Sequence, residues 1–161
     1  HQHRISKLII KKLFGTLSGK RIAILGFAFK SNTNDTRESA AIRICKDLLN
    51  EGAELVIHDP QVKESQIASD LGTKSCSGNQ NNEGIWSMAS TIDETLDNSD
   101  AILILTEWVV YSEINWKNAY KKMRRPAWVF DSRSIINPKQ VRDAGLNFWR
   151  VGDGLVQSNC D

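Results

Sequence analysis

One apolar run near the middle of the chain constrains the fold more than any other feature. The segment from Ala101 to Thr106 reads AILILT and is bounded by polar residues on both sides. A strand with a continuous apolar sequence is buried on both faces, which is typical of the inner strands of a parallel sheet. Such a strand needs helices above and below it, so the run predicts a sheet covered on both faces.

Strand and helix patterns alternate along the rest of the chain. Alternation of this kind indicates a doubly wound α/β domain: a mostly parallel sheet with helices on both faces, in a Rossmann-like three-layer arrangement. Besides the central run, predicted strands cover 21–26, 55–58, 85–89, 127–130 and 146–151. Predicted helices cover 4–14, 64–71, 92–96, 116–123 and 138–144.

A further helix carries the clearest pattern. Apolar residues recur at helical spacing from Ala40 to Leu49, and Gly52 ends the pattern. Asp35 stands three residues before Glu38, so the two side chains could cap the free backbone N–H groups of a helix that begins there. We therefore predict that this helix starts at Asp35.

Length and composition limit the classes of function. A chain of 161 residues with a formal net charge of +2 suits one domain and gives no reason to expect a nucleic-acid or membrane partner. Its three cysteines match no zinc or disulfide spacing, which favours a reducing, cytoplasmic setting. We expect helix 1–17 to be the end of a longer connecting helix, 18–152 to be the domain with a flexible insert at 72–84, and 153–161 to be a frayed tail.

Candidate ligand-binding groups follow the predicted strands. Ligands of open parallel sheets bind at the carboxyl ends of the strands, where Lys30 and Arg133 stand. Arg37 lies near the predicted helix start at Asp35, where exposed N–H groups favour an anion. These three cations predict a phosphate site. The spacing alone leaves an equal alternative, in which Lys30 is solvated and the two arginines form ion pairs with neighbouring carboxylates such as Asp35 and Asp131.

A dinucleotide site is a weaker alternative. The first strand ends in Gly26, and Asp59 closes the second strand, where a ribose-binding acid would stand. However, the sequence lacks the second and third glycines of G-x-G-x-x-G, and Phe27 and Phe29 would obstruct the approach of a pyrophosphate. We therefore do not expect this domain to bind NAD independently.

The other reactive side chains are better explained structurally. Cys45 lies on an apolar helix face and is expected in the core, whereas Cys76 is expected to be exposed. His58 has no partner at a metal or triad spacing, and Trp108 is expected to be partly buried. The basic residues within 121–125 suit the last turn of a helix better than a nucleic-acid site. We assign no catalytic residue and no metal ligand to this chain.

Five short blocks, taken together, resemble a known family. The chain is similar in their order and spacing to the C-terminal domain of the UDP-glucose/GDP-mannose dehydrogenase family, across nearly its whole length. The blocks are IAILGFAFK at 22–30, DTRES at 35–39, DP at 59–60, TEW at 106–108 and DSR at 131–133. The resemblance implies oxidation of UDP-glucose to UDP-glucuronate with two NAD molecules, through a thiohemiacetal on a cysteine of the N-terminal part.

The same resemblance implies roles for individual residues. Phe29, Lys30 and Arg133 match residues that contact the UDP-sugar, and Arg37 matches one that reaches across a cleft to NAD. The helix from Arg4 resembles the end of a connecting helix that helps to form a homo-oligomer. The N-terminal NAD-binding domain would be the partner within the same polypeptide, and this domain alone would be inactive.

Other functions stay open on the sequence. A related dehydrogenase acting on a UDP-N-acetyl sugar or on GDP-mannose would carry similar DTRES and TEW blocks. A free-standing nucleotide-binding or regulatory module is a hypothesis from a different class. The helix from Arg4 to Phe14 could also serve oligomerisation.

Overall fold

The core of the molecule is one sheet of parallel strands. The computed structural model describes residues 2–13, 15–77 and 83–150. In these ranges six strands pair in the order β3-β2-β1-β4-β5-β6, and every pairing is parallel. The strands are β1 (Arg21–Leu25), β2 (Glu54–His58), β3 (Ile85–Met88), β4 (Ala101–Ile104), β5 (Trp128–Asp131) and β6 (Asn147–Arg150). The predicted doubly wound α/β fold is confirmed.

The central strand is buried as its sequence predicts. All residues of β4 are buried although successive side chains point to opposite faces, so both faces of the sheet are covered. Leu25 at the end of β1 pairs with Ile104 of β4 and with His58 of β2. From β1 the chain adds strands β2 and β3 on one side of the sheet and then crosses to add β4, β5 and β6 on the other side. The loops that follow β1 and β4 therefore lie next to each other at the carboxyl ends of the strands. This position is the switch point where sheets of this kind bind ligands.

Helices fill the connections between the strands. The first helix packs on the second through an apolar stripe that includes Ile5, Ile9 and Leu13, and the Ser6 hydroxyl donates a 3.0 Å hydrogen bond to Asp47. None of the described helices is long and apolar enough to cross a membrane. The helices are α1 (Gln2–Lys12), α2 (Ala40–Asn50), α3 (Glu64–Leu71), α4 (Ile92–Leu96), α5 (Val109–Ser112), α6 (Trp116–Lys122) and α7 (Pro138–Asp143).

The predicted start of α2 is wrong. The helix begins at Ala40, and its N-cap is Ser39, whose hydroxyl oxygen accepts a hydrogen bond from the backbone N–H of Ala41. Glu38 has a left-handed backbone with φ 61°, so the chain turns sharply just before the cap. Asp35 and Glu38 therefore do not form a capping box, and the segment 26–39 is a loop.

The predicted insert at 72–84 is attached to the domain in its described parts. The backbone N–H of Cys76 donates to the carbonyl of Trp86 at 2.7 Å, and the Trp86 indole donates to Thr73 at 3.0 Å. The N–H of Gly84 donates to Leu49 at 2.7 Å. Residues 78–82 of the predicted insert and the predicted frayed tail at 153–161 lie outside the described residues.

Candidate functional site

The loops after β1 and β4 meet closely at the switch point. Gly26 has φ 98°, and a Cβ atom on it would lie 2.4 Å from the Cβ atom of Thr106. The Thr106 hydroxyl donates a 2.9 Å hydrogen bond to the carbonyl of Ala28. Only glycine permits both this backbone conformation and this approach, so the turn that precedes Phe29 is fixed against β4.

Asp59 anchors the same turn from the β2 side. Its side chain is buried and lies between the loops that follow β1, β2 and β4. Five N–H groups donate to its carboxylate: the backbone amides of Phe27 (2.8 Å), Ala28 (2.9 Å), Gln61 (2.8 Å) and Val62 (3.0 Å), and the indole of Trp108 (3.3 Å). Both carboxylate oxygens are occupied by protein groups, so Asp59 is an organiser of the loops and is not placed to hold a ribose.

Phe29 and Lys30 project from this fixed turn towards solvent. Phe29 is 44% exposed, which is unusual for a large apolar side chain, and Lys30 is also exposed. The backbone N–H of Phe29 donates to the carbonyl of Asp35 at 2.7 Å, closing the loop on itself. An aromatic ring and an ammonium group therefore stand together at the sheet edge on a restrained backbone.

Glu107 brings the third predicted residue to the same place. One of its carboxylate oxygens accepts a 2.7 Å hydrogen bond from the backbone N–H of Ser31, and the other accepts from the Arg133 guanidinium. Burial by itself raises the pKa of Glu107, but the Ser31 amide and the Arg133 charge outweigh burial, so this pKa lies below its usual value. The loop that carries Lys30 and the side chain of Arg133 are thus joined through one ionised carboxylate.

The alternative pairing of Arg133 with Asp131 is wrong. Asp131 is fully buried, and its carboxylate accepts hydrogen bonds from backbone amides of the turn after β5. These amides belong to Arg133, Ser134, Ile135 and Ile136, each at 2.9 Å. Asp131 fixes the backbone from which Arg133 extends, and the Arg133 side chain is left to pair with Glu107.

Arg37 pairs with Asp35, which belongs to the same loop as Phe29 and Lys30. Its guanidinium is 89% exposed and donates to Asp35 at 2.8 Å, which lowers the pKa of Asp35 to about 2. The pair borders an open groove of about 710 Å³. Asp35 and Arg37 line this groove, whereas Phe29, Lys30 and Arg133 do not. The structure therefore places Phe29, Lys30 and Arg37 on the loop after β1 and joins this loop to Arg133 through Glu107.

The N-terminus of α2 is capped by a side chain of the protein itself. The Ser39 hydroxyl donates to the carbonyl of Phe27 at 2.8 Å while its oxygen accepts from the Ala41 amide at 3.2 Å. This cap occupies a position where the pyrophosphate of a dinucleotide would approach the helix. The turn after β1 is also closed to a pyrophosphate, because the Phe27 side chain is buried there and Gly26 packs closely against Thr106. These residues do not fit NAD at the switch point of this domain.

The remaining candidates have structural roles. The Nδ1 atom of His58 lies 2.9 Å from the Tyr111 hydroxyl, and burial lowers the pKa of His58 against a smaller opposing effect of Asp59. Cys45 is fully buried, which raises the pKa of its thiol, and Cys76 is exposed. In the described part of the chain no three His, Cys, Asp or Glu residues are arranged to hold a metal ion.

Sequence comparison identifies the family. The sequence model of the UDP binding domain of the UDP-glucose/GDP-mannose dehydrogenase family matches residues 23–138, which include every site residue described above. The chain belongs to this family. The resemblance predicted from the five blocks is thereby confirmed, and the switch-point residues lie within the domain for which the family model is named.

Relatives in this family are much longer than the chain. UDP-glucose 6-dehydrogenase of Drosophila melanogaster is 40% identical and is matched over 98% of this chain but 34% of its own length. The Caenorhabditis elegans UDP-glucose 6-dehydrogenase is 39% identical over 98% of this chain and 32% of its own length. The chain therefore spans about a third of the length of these relatives.

Solved structures of the family share the fold. A UDP-glucose dehydrogenase from Pyrobaculum islandicum matches 92% of this chain and 29% of its own, with a TM-score of 0.66 and 25% identity. An NDP-N-acetyl-D-galactosaminuronic acid dehydrogenase from Methanosarcina mazei Go1 has a TM-score of 0.72 over 94% of this chain and 28% of its own, at 22% identity, which supports the fold alone.

Proposed function

We propose that this chain is the UDP-binding part of an NAD-dependent enzyme that oxidises UDP-glucose to UDP-glucuronate. The remaining part of such an enzyme would supply the main NAD site and the cysteine that carries the thiohemiacetal. Bound there, NAD would supply the hydride acceptor for both oxidations. The role of the residues present here is to bind and orient the nucleotide sugar, and no group in this chain is assigned to bond making or breaking.

One observation carries this proposal: at the carboxyl ends of the strands, Glu107 joins the Arg133 side chain to the backbone of Ser31, the neighbour of Lys30 on a different loop. Two basic residues on loops that are joined in this way suit a diphosphate, since charge-assisted hydrogen bonds to phosphate oxygens are about twice as strong as neutral ones. Phe29 adds an exposed ring suited to the apolar faces of a nucleoside or a sugar. The two basic residues thus suit the diphosphate of a UDP-sugar, and the aromatic residue suits its nucleoside or its sugar.

The titration of this chain with UDP tests the proposal directly. In ¹⁵N-resolved NMR spectra we expect saturable shifts at Phe29, Lys30, Ser31 and Arg133, because these groups surround the proposed diphosphate position. Uridine, which lacks phosphates, should bind at least tenfold more weakly than UDP. Weaker binding of GDP than of UDP would show that the site also recognises the uracil base. Equal affinities for UDP and uridine, or shifts confined to other surfaces, would contradict the proposal.

Arg37 is proposed to contact NAD held by the other part of the enzyme. Its side chain is 89% exposed, against 38% for Arg133, and Asp35 accepts from its Nε and Nη2 atoms, which leaves Nη1 open. We expect R37A in the complete enzyme to weaken NAD binding about fivefold, as for loss of one exposed charged contact, and to leave UDP binding unchanged.

Calorimetric titrations of NAD and UDP measure these two affinities separately. The matched control is R43A, which removes the same charge from an exposed position of α2 outside the groove. If R37A and R43A bind NAD with the same affinity, Arg37 has no contact with the cofactor.

We extend the proposal to the setting of the complete enzyme. The exposed thiol of Cys76 and the buried thiol of Cys45 are free, in keeping with a cytoplasmic protein. The amphipathic α1 is proposed to continue a connecting helix and to support a homo-oligomer. Sedimentation of the complete enzyme and of this chain would measure the two association states.

A further inference from the structure

Glu107 is a carboxylate placed where a carboxylate should oppose ligand binding. It lies beside Arg133 at the proposed diphosphate position, and a negative charge there repels phosphate. Its side chain is 27% exposed and that of Arg133 is 38% exposed, so both groups are only partly screened by water. Glu107 therefore weakens phosphate binding electrostatically. If it supports binding, another contribution from this residue must outweigh that repulsion.

Its two hydrogen bonds show what that effect is. The Ser31 amide and the Arg133 guanidinium bind different oxygens of the same carboxylate. Ser31 is separated from Glu107 by 76 positions and Arg133 by 26, so Glu107 joins three loops at one point. The backbone of Ser31 also fixes the direction in which its neighbour Lys30 leaves the loop.

We propose that Glu107 is a positioning residue, which holds Arg133 and the Lys30 loop in the orientation that receives the diphosphate. This inference rests on the proposed function and adds a residue to it. Without Glu107, the guanidinium and the loop would each have to be ordered when the ligand binds. Ordering a long side chain of this kind costs enough to weaken binding by roughly three- to tenfold.

Two substitutions separate the effects of the two hydrogen bonds of Glu107. E107Q keeps a carbonyl oxygen that can accept from Ser31 and removes the charge that holds Arg133, whereas E107A removes both hydrogen bonds. The matched control is E113Q, which removes the same charge from an exposed residue for which no side-chain hydrogen bond or ion pair occurs within the described ranges. All three variants are made in this chain and titrated with UDP and with uridine by NMR.

We expect E107Q to weaken UDP binding about fivefold and E107A at least tenfold. Uridine binding should stay unchanged in both, and E113Q should bind UDP like the wild type. In an R133A background, E107Q should cause no further loss, because the residue through which it acts is gone. In the ligand-free protein, the side-chain N–H signal of Arg133 should become mobile in E107Q.

The outcomes separate the inference from the proposed function. If E107Q binds UDP as tightly as the wild type or more tightly, Glu107 is only a competitor of the phosphate and the inference is wrong. Equal losses for UDP and uridine would show a merely structural role and would also overturn it. If the wild type itself does not prefer UDP to uridine, the proposed function fails first, and the inference that rests on it fails with it.

Discussion

Replacement of Asp59 by alanine is expected to destabilise this domain by about 4 kcal/mol. The carboxylate receives five N–H groups, which come from the loops after β1, β2 and β4, and it is buried. An alanine leaves these donors without an acceptor in a site that water enters poorly. Each orphaned buried donor costs about 1 to 3 kcal/mol, and part of this cost is recovered by local rearrangement.

Urea unfolding followed by circular dichroism measures this loss as a lower midpoint at an unchanged slope. The matched control is D143A, since Asp143 lies on the surface and pairs only with Lys139 of the same helix, at 2.7 Å, in the described structure. An exposed pair of this kind contributes about 0 to 1 kcal/mol. Similar midpoints for D59A and D143A would show that the Asp59 network does not hold the loops together.

The sheet could be predicted from the sequence because its signals are local. The apolar run at 101–106 and the glycines and prolines that end the strands specify β4 and its neighbours without knowledge of any partner. Parallel pairing then follows from the alternation of strands and helices, and it places the strand ends together. The position of Lys30 and Arg133 at one edge is a consequence of this topology.

The start of α2 was mispredicted because two local signals compete. The pair Asp35 and Glu38 has the spacing of a capping box, but Ser39 is also a strong N-cap residue. Glu38 adopts φ 61°, and the Ser39 hydroxyl donates to Phe27, a contact that joins α2 to the loop after β1. A tertiary hydrogen bond therefore selects between two caps that local sequence does not separate. The short helix α5 was not predicted either, since four residues give too little periodicity.

Side-chain partners at the site were beyond prediction for a related reason. The sequence places Glu107 and Asp59 directly after predicted strands, but it does not show which groups they contact. Arg133 has a nearer carboxylate in sequence, Asp131, and pairs with Glu107 instead, because Asp131 is occupied by four backbone amides. The choice depends on backbone hydrogen bonds that form only in the folded turn.

Loss of either cation at the switch point is expected to have the largest effect on ligand binding. In the complete enzyme, K30A and R133A should each raise the KM for UDP-glucose about tenfold or more, because a charged hydrogen bond contributes about 1.5 to 3 kcal/mol. The diphosphate does not react, so its contacts are the same in the ground state and the transition state. The value of kcat should therefore change little, as expected for loss of uniform binding.

Two comparisons make this expectation specific to the phosphate contact. K117A removes a charge from an exposed position of α6 and should leave KM unchanged. R133K keeps the charge but loses the planar fork that can bind two phosphate oxygens, so it should recover only part of the affinity. A KM that is unchanged in both K30A and R133A would remove these residues from the site. A fall in kcat with KM constant would instead place them at the reacting centre, since an interaction made only in the transition state affects kcat alone.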